Sequence, residues 1–416
     1  MLGVTLAAGK GKRLRPLTET RPKVLIPILG KPLIQFHLEL MRRIGVEKVL
    51  IIVSYLKEQV IDRVKYLANE IGVDVDFIDQ GEELGTGHAL KTVIDRYEDD
   101  MVVTYGDLYI DVDLVFKTLS PIINKRDNYI VGVDVEDVSR YGKLIIENDV
   151  VLDIIEKPNE KSPGTINSGI YILRRETVRL VNEINVSPRG EYELTDLVSI
   201  AREKGHNFKV VRIPSNCWQD SGYPWDLLKI VKLELSKLQE KIVEGDVENL
   251  VTIKGPAIIE EGATIKGATY IEGPVYIGKN ASIGPNSYIR PYTVIEEKAH
   301  IGFSVEVKES IILENTHAAH LTYIGDSIIG EKVNLGAGTL IANLRFDDKT
   351  VKMVIEGKRI DTGRRKMGAV IGGYTKTGVN VSIMPGVKIG SYTTIYPGVV
   401  VYRDVPSYTV VDRDWK

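Results

Sequence analysis

The sequence predicts an α/β protein in which a mixed, mostly parallel sheet is followed by a parallel β-helix. Short β-branched runs alternate with helical segments over residues 2–230, a pattern typical of a mostly parallel sheet that helices cover on both faces. From Ile253 to Leu313, apolar residues recur at every sixth position, and the register then resets and resumes at Ile329 and again at Ile371. Six-residue periodicity with Gly and Asn at the corners indicates a β-helix of hexapeptide repeats.

Strands of the first part are predicted where β-branched residues cluster, at Val49–Val53, Met101–Tyr105, Tyr129–Val133 and Phe208–Ile213. Apolar residues at helical spacing predict helices over Leu33–Ile44 and Lys57–Ile71. Ligands of such folds bind at the carboxyl ends of the strands, so we expect the site there.

A helical pattern around residues 226–245 is interpreted as a linker, which divides the chain into domains 1–225 and 246–416. Within the second domain the periodic positions, with Thr377 the one polar member, are Ile253, Ile259, Ile265, Ile271, Ile277, Ile283, Ile289, Ile295, Ile301, Val307, Leu313, Ile329, Leu335, Ile341, Ile371, Thr377, Ile383, Ile389, Ile395 and Val401. A basic segment, 344–368, interrupts the repeat. An insertion in a solenoid projects as a loop from one face, often the binding face, although a solvated charged loop is the alternative.

Composition excludes several classes of protein. The 416 residues are 43% hydrophobic and 27% charged, close to the averages for soluble globular proteins. The net charge of −3 argues against a nucleic-acid-binding protein. No run approaches the ~20 apolar residues of a membrane span, and no signal peptide is evident. The single cysteine, Cys217, excludes an internal disulfide and a Cys-based metal cluster. We therefore expect a cytoplasmic protein without nucleic-acid or membrane partners.

A Gly-rich segment, Leu6–Thr18, follows the first strand, and its glycines would let backbone N–H groups approach a polyphosphate. The segment continues into Arg21–Ile28 and Gly30–Leu33. Further short motifs follow at Tyr105–Asp107, Glu156–Pro158, Asn167–Gly169 and Trp218–Gly222. Together they closely resemble the sugar-1-phosphate nucleotidyltransferases over residues 1–230. The spacing matches neither a Walker P-loop nor the dinucleotide fingerprint.

The resemblance implies that a sugar-phosphate oxygen attacks the α-phosphorus of a nucleoside triphosphate and releases pyrophosphate. Two anions must meet, so such a site needs positive charge and in-line positioning. By resemblance, Arg13 and Lys23 are the catalytic cations, and Asp107 and Asp220 are the ligands of Mg²⁺. The nucleotide would contact Leu6, Ala8, Gly9, Gln80, Gly85 and Thr86. The sugar phosphate would contact Gly142, Glu156, Lys157 and Asn167.

The resemblance leaves the base open between UTP and dTTP. Residues Gln80–Ala89 are similar to the uridine-reading loop, in which His88 serves packing rather than catalysis. The chain departs from the family's pattern at Lys12, and Trp218–Gly222 looks more like the thymidylyl and guanylyl branches.

The second part carries its own chemical motif. Residues Ala319–Asp326 and Val333–Thr339 resemble the acetyltransferase domain of bifunctional N-acetylglucosamine-1-phosphate uridyltransferase/glucosamine-1-phosphate N-acetyltransferases. By resemblance His320 is the general base, because an imidazole titrates near neutrality. The acetyl-acceptor and acetyl-CoA site would contain Arg290, Lys308, Tyr323, Asn334 and Asn343. Lys349 and Lys352 are included only because they are positively charged, as candidates to bind the phosphates of coenzyme A.

These observations predict a bifunctional enzyme that acetylates glucosamine 1-phosphate, or another aminosugar 1-phosphate, with acetyl-CoA and transfers UMP or dTMP to a sugar 1-phosphate. The resemblance also implies a left-handed β-helix and a homotrimer whose acetyl site lies between subunits. Two alternatives stay open. One is a monofunctional glucose-1-phosphate or mannose-1-phosphate nucleotidyltransferase with a structural β-helix. The other is a non-catalytic regulatory subunit.

Overall fold

A computed structural model of the chain describes residues 1–94 and 96–415, which form two compact units. The first unit contains Met1–Lys10, Pro22–Ile26 and Pro32–Asp220. The second contains Gly11–Arg21, Pro27–Lys31 and the chain from Ser221 onward. None of the helices in the described residues has the length and apolar character that crossing a bilayer requires.

The first unit is built on a nine-stranded mixed sheet. Its strands are, in spatial order, Asp74–Asp79, Lys48–Val53, Leu2–Leu6, Met101–Tyr105, Gly164–Leu173, Asn128–Val135, Phe208–Ile213, Val150–Glu156 and Gly142–Glu147. The first four are parallel, and Gly164–Leu173 is antiparallel to both of its main neighbours. The predicted fold class and the four predicted strands are confirmed.

Helices and short turns connect these strands. The α-helices of the first unit are Leu33–Arg43, Lys57–Ile71, Thr86–Ile94, Val112–Leu119, Arg175–Val178 and Leu197–Glu203. Its 3-10 helices are Lys23–Leu25, Arg179–Glu183, Leu194–Asp196 and Ser215–Cys217. The two predicted helices are confirmed. Each is amphipathic, and Leu33, Ile34 and Leu38 of the first helix are completely buried.

A short antiparallel pair stands apart from the main sheet of the first unit. Leu108–Ile110 pairs with Trp218–Asp220, and the register places Asp220 opposite Leu108. The pair therefore joins two motifs that are more than one hundred residues apart in the sequence, and it places Asp220 beside Asp107.

The second unit contains three parallel sheets, consistent with the predicted left-handed β-helix. The first face contains Lys241–Val243, Ala257–Ile259, Val275–Ile277, Thr293–Ile295, Ile311–Ile312, Ile328–Ile329, Val370–Ile371 and Lys388–Ile389. The second face contains Asp246–Val247, Thr264–Ile265, Ser282–Ile283, His300–Phe303, His317–His320, Asn334–Leu335, Lys376–Thr377, Thr394–Ile395 and Val410–Val411. The third face contains Thr252–Lys254, Tyr270–Glu272, Tyr288–Ile289, Glu306–Lys308, Tyr323–Gly325, Leu340–Ile341, Ser382–Ile383 and Val400–Val401.

The interior of the β-helix is a continuous stack of aliphatic side chains, in which isoleucine is the most frequent residue, followed by valine and alanine, and most are fully buried. Each buried isoleucine contributes about 1.5–3 kcal/mol of transfer free energy. The repeat shortens by one residue twice, because the core passes from Val307 to Ile312 and from Ile324 to Ile329. Leu313, which the six-residue series places inside, is buried but lies outside this core.

The basic insertion folds as a hairpin of Lys352–Ile355 and Lys358–Asp361. The coils close across it, since Ile328 pairs with Val370 and Leu340 pairs with Ser382. The insertion therefore leaves the stack of coils uninterrupted.

The remaining elements of the second unit lie outside the coils. The helix of the predicted linker covers Pro224–Leu235, and the first β-helix strand begins at Lys241. A proline at its start and a capping box between Tyr223 and Asp226 fix the beginning of this helix. Two 3-10 helices, Lys12–Leu14 and Leu17–Glu19, lie in the Gly-rich segment. Two short strands, Pro27–Ile28 and Lys31–Pro32, follow it.

Candidate active sites

Lys23 and Asp107 form an ion pair in the first unit, in which the Lys23 side chain is buried and the Asp107 side chain is 35% exposed. Lys23 begins a 3-10 turn after Pro22 and is only 7% exposed. Its Nζ donates to Asp107 Oδ2 at 2.6 Å. Burial raises the pKa of the Asp107 carboxyl, but the Lys23 ammonium outweighs this effect and holds the pKa below its ordinary value. Asp107 is therefore an ionised carboxylate at neutral pH.

Asp220 lies next to this pair in the strand register, opposite Leu108. Arg140 Nη2 lies 3.4 Å from Asp220 Oδ2. Two carboxylates thus share one end of a short strand pair, each with a cationic partner. Carboxylate oxygens are hard donors, and Mg²⁺ usually takes one or two of them together with substrate phosphates. The described residues contain no group of three or more His, Cys, Asp or Glu side chains placed to hold a metal, so the donor set fits an ion that substrate oxygens complete.

Sequence reasoning missed a buried histidine beneath this site. His37 is completely buried, and its Nε2 lies 2.9 Å from the carbonyl oxygen of Leu108. Burial lowers the pKa of His37 to about 4, so its ring is neutral. A neutral Nε2–H donor ties the helix Leu33–Arg43 to the strand that follows Asp107. Only the fold, which brings residue 37 to residue 108, shows this role.

The predicted base-reading residues form one closed loop. Gln80 Nε2 donates to the carbonyl oxygen of Gly85 at 3.1 Å and lies 3.2 Å from His88 Nδ1. The Thr86 hydroxyl accepts from the backbone N–H of Leu194 at 3.0 Å. Gly85 has φ +108°, and a Cβ there would lie 2.5 Å from the carbonyl oxygen of Tyr192, so glycine is required. His88 contributes to the loop structure, in keeping with its predicted packing role.

The predicted sugar-contacting residues lie on neighbouring strands of the main sheet. Gly142 pairs with Glu156, and a Cβ at Gly142 would lie 2.9 Å from Glu156 Oε1. Glycine therefore leaves room for this carboxylate over the strand. Lys157 follows at a φ of +46°. Arg189 Nη1, which sequence reasoning missed, lies 3.5 Å from Glu156 Oε2.

Asn167 is held by both ends of its amide. Its Nδ2 donates to the Tyr171 hydroxyl at 2.5 Å, and its Oδ1 accepts from the backbone N–H of Gly169 at 2.9 Å. Burial raises the pKa of Tyr105 to about 12 and that of Tyr171 well above its ordinary value. Both hydroxyls therefore keep their protons at neutral pH, and Asn167 is fixed in one orientation.

The residues predicted to approach the triphosphate follow the first strand. Leu6 and Ala8 are buried, and their carbonyl oxygens accept from the backbone N–H groups of Gly106 and Tyr55. Gly9 is exposed, and a Cβ there would meet no atom within 4 Å. Arg13 belongs to the second unit, where its guanidinium lies over the Tyr223 ring at 5.0 Å from the centroid.

In the second unit, four of the predicted acetyl-site residues lie along the third face of the β-helix. Arg290 follows the strand whose register places it one coil from Lys308. Tyr323 begins the next strand. Asn343 Nδ2 donates to the Tyr323 hydroxyl at 3.1 Å and to Asp326 Oδ2 at 2.6 Å. Lys308 Nζ donates to Asp326 Oδ2 at 3.0 Å. A buried carboxylate thus links Lys308 to Asn343.

Arg290 retains a free donor at this position. Its Nη1 donates to Glu306 Oε1 at 2.8 Å, whereas its Nε is buried without a hydrogen-bond partner among the described residues. A buried N–H group without a hydrogen-bond partner is energetically unfavourable.

The remaining predicted acetyl-site residues lie elsewhere on the second unit. His320 ends a strand of the second face, and its side chain is exposed. Asn334 lies on the same face, where it pairs with His317. Lys349 and Lys352 are exposed on the insertion. Among residues 1–94 and 96–415, no hydrogen bond or ion pair connects the side chains of these four residues to the cluster around Asp326.

Comparison with family models identifies the larger part of the chain. Residues 2–237 match the nucleotidyl transferase model. The chain belongs to the nucleotidyl transferase family. In this member the second unit also matches two models, the GMPPB C-terminal domain over residues 271–365 and the bacterial transferase hexapeptide, six repeats, over residues 368–403. The predictions of a nucleotidyltransferase domain and of a hexapeptide-repeat transferase domain are confirmed.

Three bifunctional proteins are similar to this chain along almost its whole length. A bifunctional sugar-1-phosphate nucleotidylyltransferase/acetyltransferase from Sulfurisphaera tokodaii is 46% identical over 407 residues, 97% of this chain and 98% of that protein. The bifunctional protein GlmU of Methanocaldococcus jannaschii is 42% identical over 415 residues, 99% of this chain and 97% of that protein. The protein of the same name from Methanococcus maripaludis is 42% identical over 416 residues, with 99% and 97% coverage.

Proposed function

We propose that this enzyme acetylates glucosamine 1-phosphate with acetyl-CoA and then transfers UMP or dTMP from UTP or dTTP to the acetylated sugar 1-phosphate, releasing pyrophosphate. Residues 1–225 would carry nucleotidyl transfer and residues 246–416 acetyl transfer. The observation that carries the proposal is that one chain combines the Lys23–Asp107 pair with the Lys308–Asp326–Asn343 cluster. The similarity to named bifunctional relatives over 97% or more of the chain supports it.

At the nucleotidyl site, the chain's own residues supply positive charge and orientation. Lys23 is placed to neutralise the α-phosphate as the sugar-phosphate oxygen attacks, because its buried ammonium is already fixed by Asp107. Arg13 would bind the triphosphate, while Glu156 and Asn167 would hold the sugar hydroxyls. Asp107 and Asp220 would hold Mg²⁺, which when bound neutralises charge on the phosphate oxygens.

At the acetyl site, Arg290 and Lys308 would bind the phosphate of the aminosugar, and Tyr323, Asn334 and Asn343 would orient the sugar. His320 would remove the proton that the amine loses as it attacks the thioester carbonyl. The exposed side chains of Lys349 and Lys352 would bind phosphates of coenzyme A.

We also propose a homotrimer in which a neighbouring subunit completes the acetyl site. Three apolar side chains are exposed in the single chain: Phe303 at 43% and Leu321 at 57%, which neighbour His320, and Leu340 at 50%, which is paired with Tyr323. Phe303 is paired with His320 in the strand register. Contiguous exposed apolar side chains mark interaction surfaces. A second copy covering this patch would bring His320 close to groups that the single chain does not supply.

The direct test is one incubation of purified protein with glucosamine 1-phosphate, acetyl-CoA, UTP and Mg²⁺, in which each component is omitted in turn. We expect thiol release that requires the aminosugar and pyrophosphate release that requires the nucleotide. Pyrophosphate without thiol would support the alternative of a nucleotidyltransferase with a structural β-helix. The match of residues 271–365 to the GMPPB C-terminal domain makes this alternative worth testing. Absence of both products with any sugar 1-phosphate would support a regulatory subunit.

A further inference from the structure

One arginine of the basic insertion, Arg364, contacts residues of the proposed acetyl site. Arg364 Nη2 donates to Glu309 Oε1 at 2.8 Å and to Asp326 Oδ1 at 3.1 Å. Its own segment fixes the side chain, since Arg364 Nε donates to the carbonyl oxygen of Lys366 at 3.1 Å. The backbone is fixed as well, because its N–H donates to the Thr362 hydroxyl at 3.1 Å. Arg364 follows the hairpin and is 22% exposed, whereas the basic side chains of the hairpin strands, Lys352, Lys358 and Arg359, are exposed.

Asp326 is the group on which these contacts converge. Its side chain is only 1% exposed. One carboxylate oxygen accepts from Lys308 and Asn343, and the other accepts from Arg364. A buried carboxylate is tolerated only when cations and hydrogen bonds replace its water. Arg364 therefore shares with Lys308 the task of neutralising Asp326.

Glu309, one coil earlier than Asp326, also accepts a hydrogen bond from Arg364. Glu309 and Asp326 both occupy left-handed corners, with φ of +42° and +49°, a conformation that costs energy for residues other than glycine. Burial raises the pKa of Glu309, but the hydrogen bond and charge of Arg364 outweigh it, so its pKa is lowered overall. One guanidinium thus bridges the carboxylates of two successive coils.

We propose that Arg364 is a positioning residue of the acetyl-acceptor site, which acts through Asp326 on Lys308 and Asn343. This inference rests on the proposed acetyl transfer. With Arg364 in place, Asp326 has a second cation, and the Lys308 ammonium can direct its remaining donors to the phosphate of the substrate. Without it, Lys308 would be the one cation left on a buried carboxylate and would be drawn into that pair. Asn343 would lose its fixed orientation as well.

The test compares Arg364→Ala with Arg364→Lys and with the matched control Arg365→Ala. Arg365 neighbours Arg364 on the same insertion but is exposed, and its partner is the exposed Asp348. We expect Arg364→Ala to raise the KM for glucosamine 1-phosphate about 10- to 100-fold, because small misplacements of binding groups cost rates of this order. The KM for acetyl-CoA should change much less. Arg364→Lys should recover part of the loss, since an ammonium cannot bridge two carboxylates as a guanidinium does.

Pyrophosphate release with N-acetylglucosamine 1-phosphate should be unchanged in every variant, which shows that the nucleotidyl site is intact, and an unchanged midpoint of thermal unfolding shows that the β-helix is folded. Wild-type KM for the aminosugar in Arg364→Ala would overturn the inference, as would an equal loss in Arg365→Ala. If Arg364→Ala does not fold, a wild-type KM in Arg364→Lys would overturn it. Wild-type protein that releases no thiol would contradict the proposed function itself, which is a different outcome from unchanged kinetics in the variant.

Discussion

Lys23 is the residue on which nucleotidyl transfer depends most directly in this account. Its ammonium is buried and held 2.6 Å from Asp107, so it is oriented before substrate binds. We expect Lys23→Met to lower kcat for pyrophosphate release about 100- to 1000-fold, the usual cost of removing one preorganised electrostatic contact. Aminosugar-dependent thiol release in the same preparation should be unchanged. A loss below tenfold would contradict the assigned role.

Lys23→Met leaves the partly buried Asp107 carboxylate without its cation. A second variant therefore separates the effect on catalysis from the effect on folding. The double variant Lys23→Met/Asp107→Asn removes both charges and keeps the shape of the site. It should unfold at a temperature closer to that of the wild type than Lys23→Met does, and it should be no more active.

His320 has the corresponding role in acetyl transfer. We expect His320→Ala to lower kcat for thiol release about 100- to 10,000-fold, the contribution of a general base. His317 is a matched control, because it is exposed and begins the strand that His320 ends. His317→Ala should keep most of the activity. Equal losses in the two variants would indicate a structural effect on this strand rather than proton transfer by His320.

At the scale of elements, the insertion is a hairpin that leaves the pairing between successive coils uninterrupted. We expect the double variant Lys349→Ala/Lys352→Ala to raise the KM for acetyl-CoA severalfold, with little change in kcat or in the midpoint of thermal unfolding. Lys358→Ala, on the opposite strand of the hairpin, is the matched control. An unchanged KM for acetyl-CoA would show that these lysines are a solvated surface.

A buried glutamate of the β-helix, Glu296, should make the stability of the protein depend on pH. Glu296 is buried, its Oε1 accepts from the Gly30 N–H at 3.1 Å, and burial raises its pKa to about 8. The folded protein therefore holds a proton that the unfolded chain releases above its ordinary pKa of 4.5. The protonated Glu296 side chain therefore contributes its full stabilisation below pH 4.5, and this stabilisation is lost as the pH rises toward 8.

We expect Glu296→Gln to remove this dependence, since the amide resembles the protonated acid. The unfolding midpoint of the variant should exceed that of the wild type by a few degrees at pH 8.5, and the difference should shrink toward pH 5. Glu297→Gln is the control, because Glu297 is the adjacent residue and is 51% exposed. A difference that does not vary with pH would contradict the buried proton at Glu296.

Elements with strong periodicity were predictable from sequence, whereas contacts between distant segments were not. The strand Phe208–Ile213, the helix Lys57–Ile71 and the hexapeptide core follow directly from apolar spacing. The shortened step at Ile312 escaped prediction, because Leu313 is also apolar and continues the six-residue series by chance. The reset of the register before Ile329 was visible in the sequence.

The two candidate sites were likewise only partly predictable from the sequence. Sequence resemblance pointed to Lys23, Asp107, Lys308 and Asn343, and the structure brings each to a partner. It gave no signal for Arg364, which lies 38 residues from the carboxylate that it binds. Nor did it indicate His37, which lies 71 residues from the carbonyl group that it contacts. The roles of such residues can be identified only from the structure, because their contact partners are distant in the sequence.

At the scale of the whole molecule, the proposed trimer links assembly to only one of the two activities. We expect sedimentation to give a mass three times the 46.4 kDa of the chain. Charged substitutions at Phe303 and Leu321 should dissociate the assembly and abolish thiol release, while pyrophosphate release continues. Full acetyl transfer by a monomer would contradict a site completed by a neighbouring subunit.

The most direct test of two independent sites in one chain is complementation between the two single-site variants. Lys23→Met and His320→Ala are incubated separately and then together with glucosamine 1-phosphate, acetyl-CoA, UTP and Mg²⁺, and UDP-N-acetylglucosamine is measured. We predict that neither variant alone forms this product at an appreciable rate and that the mixture does, because the acetylated sugar phosphate diffuses from one protein to the other. Formation of the product by His320→Ala alone, or failure of the mixture while each variant keeps its other activity, would contradict the account.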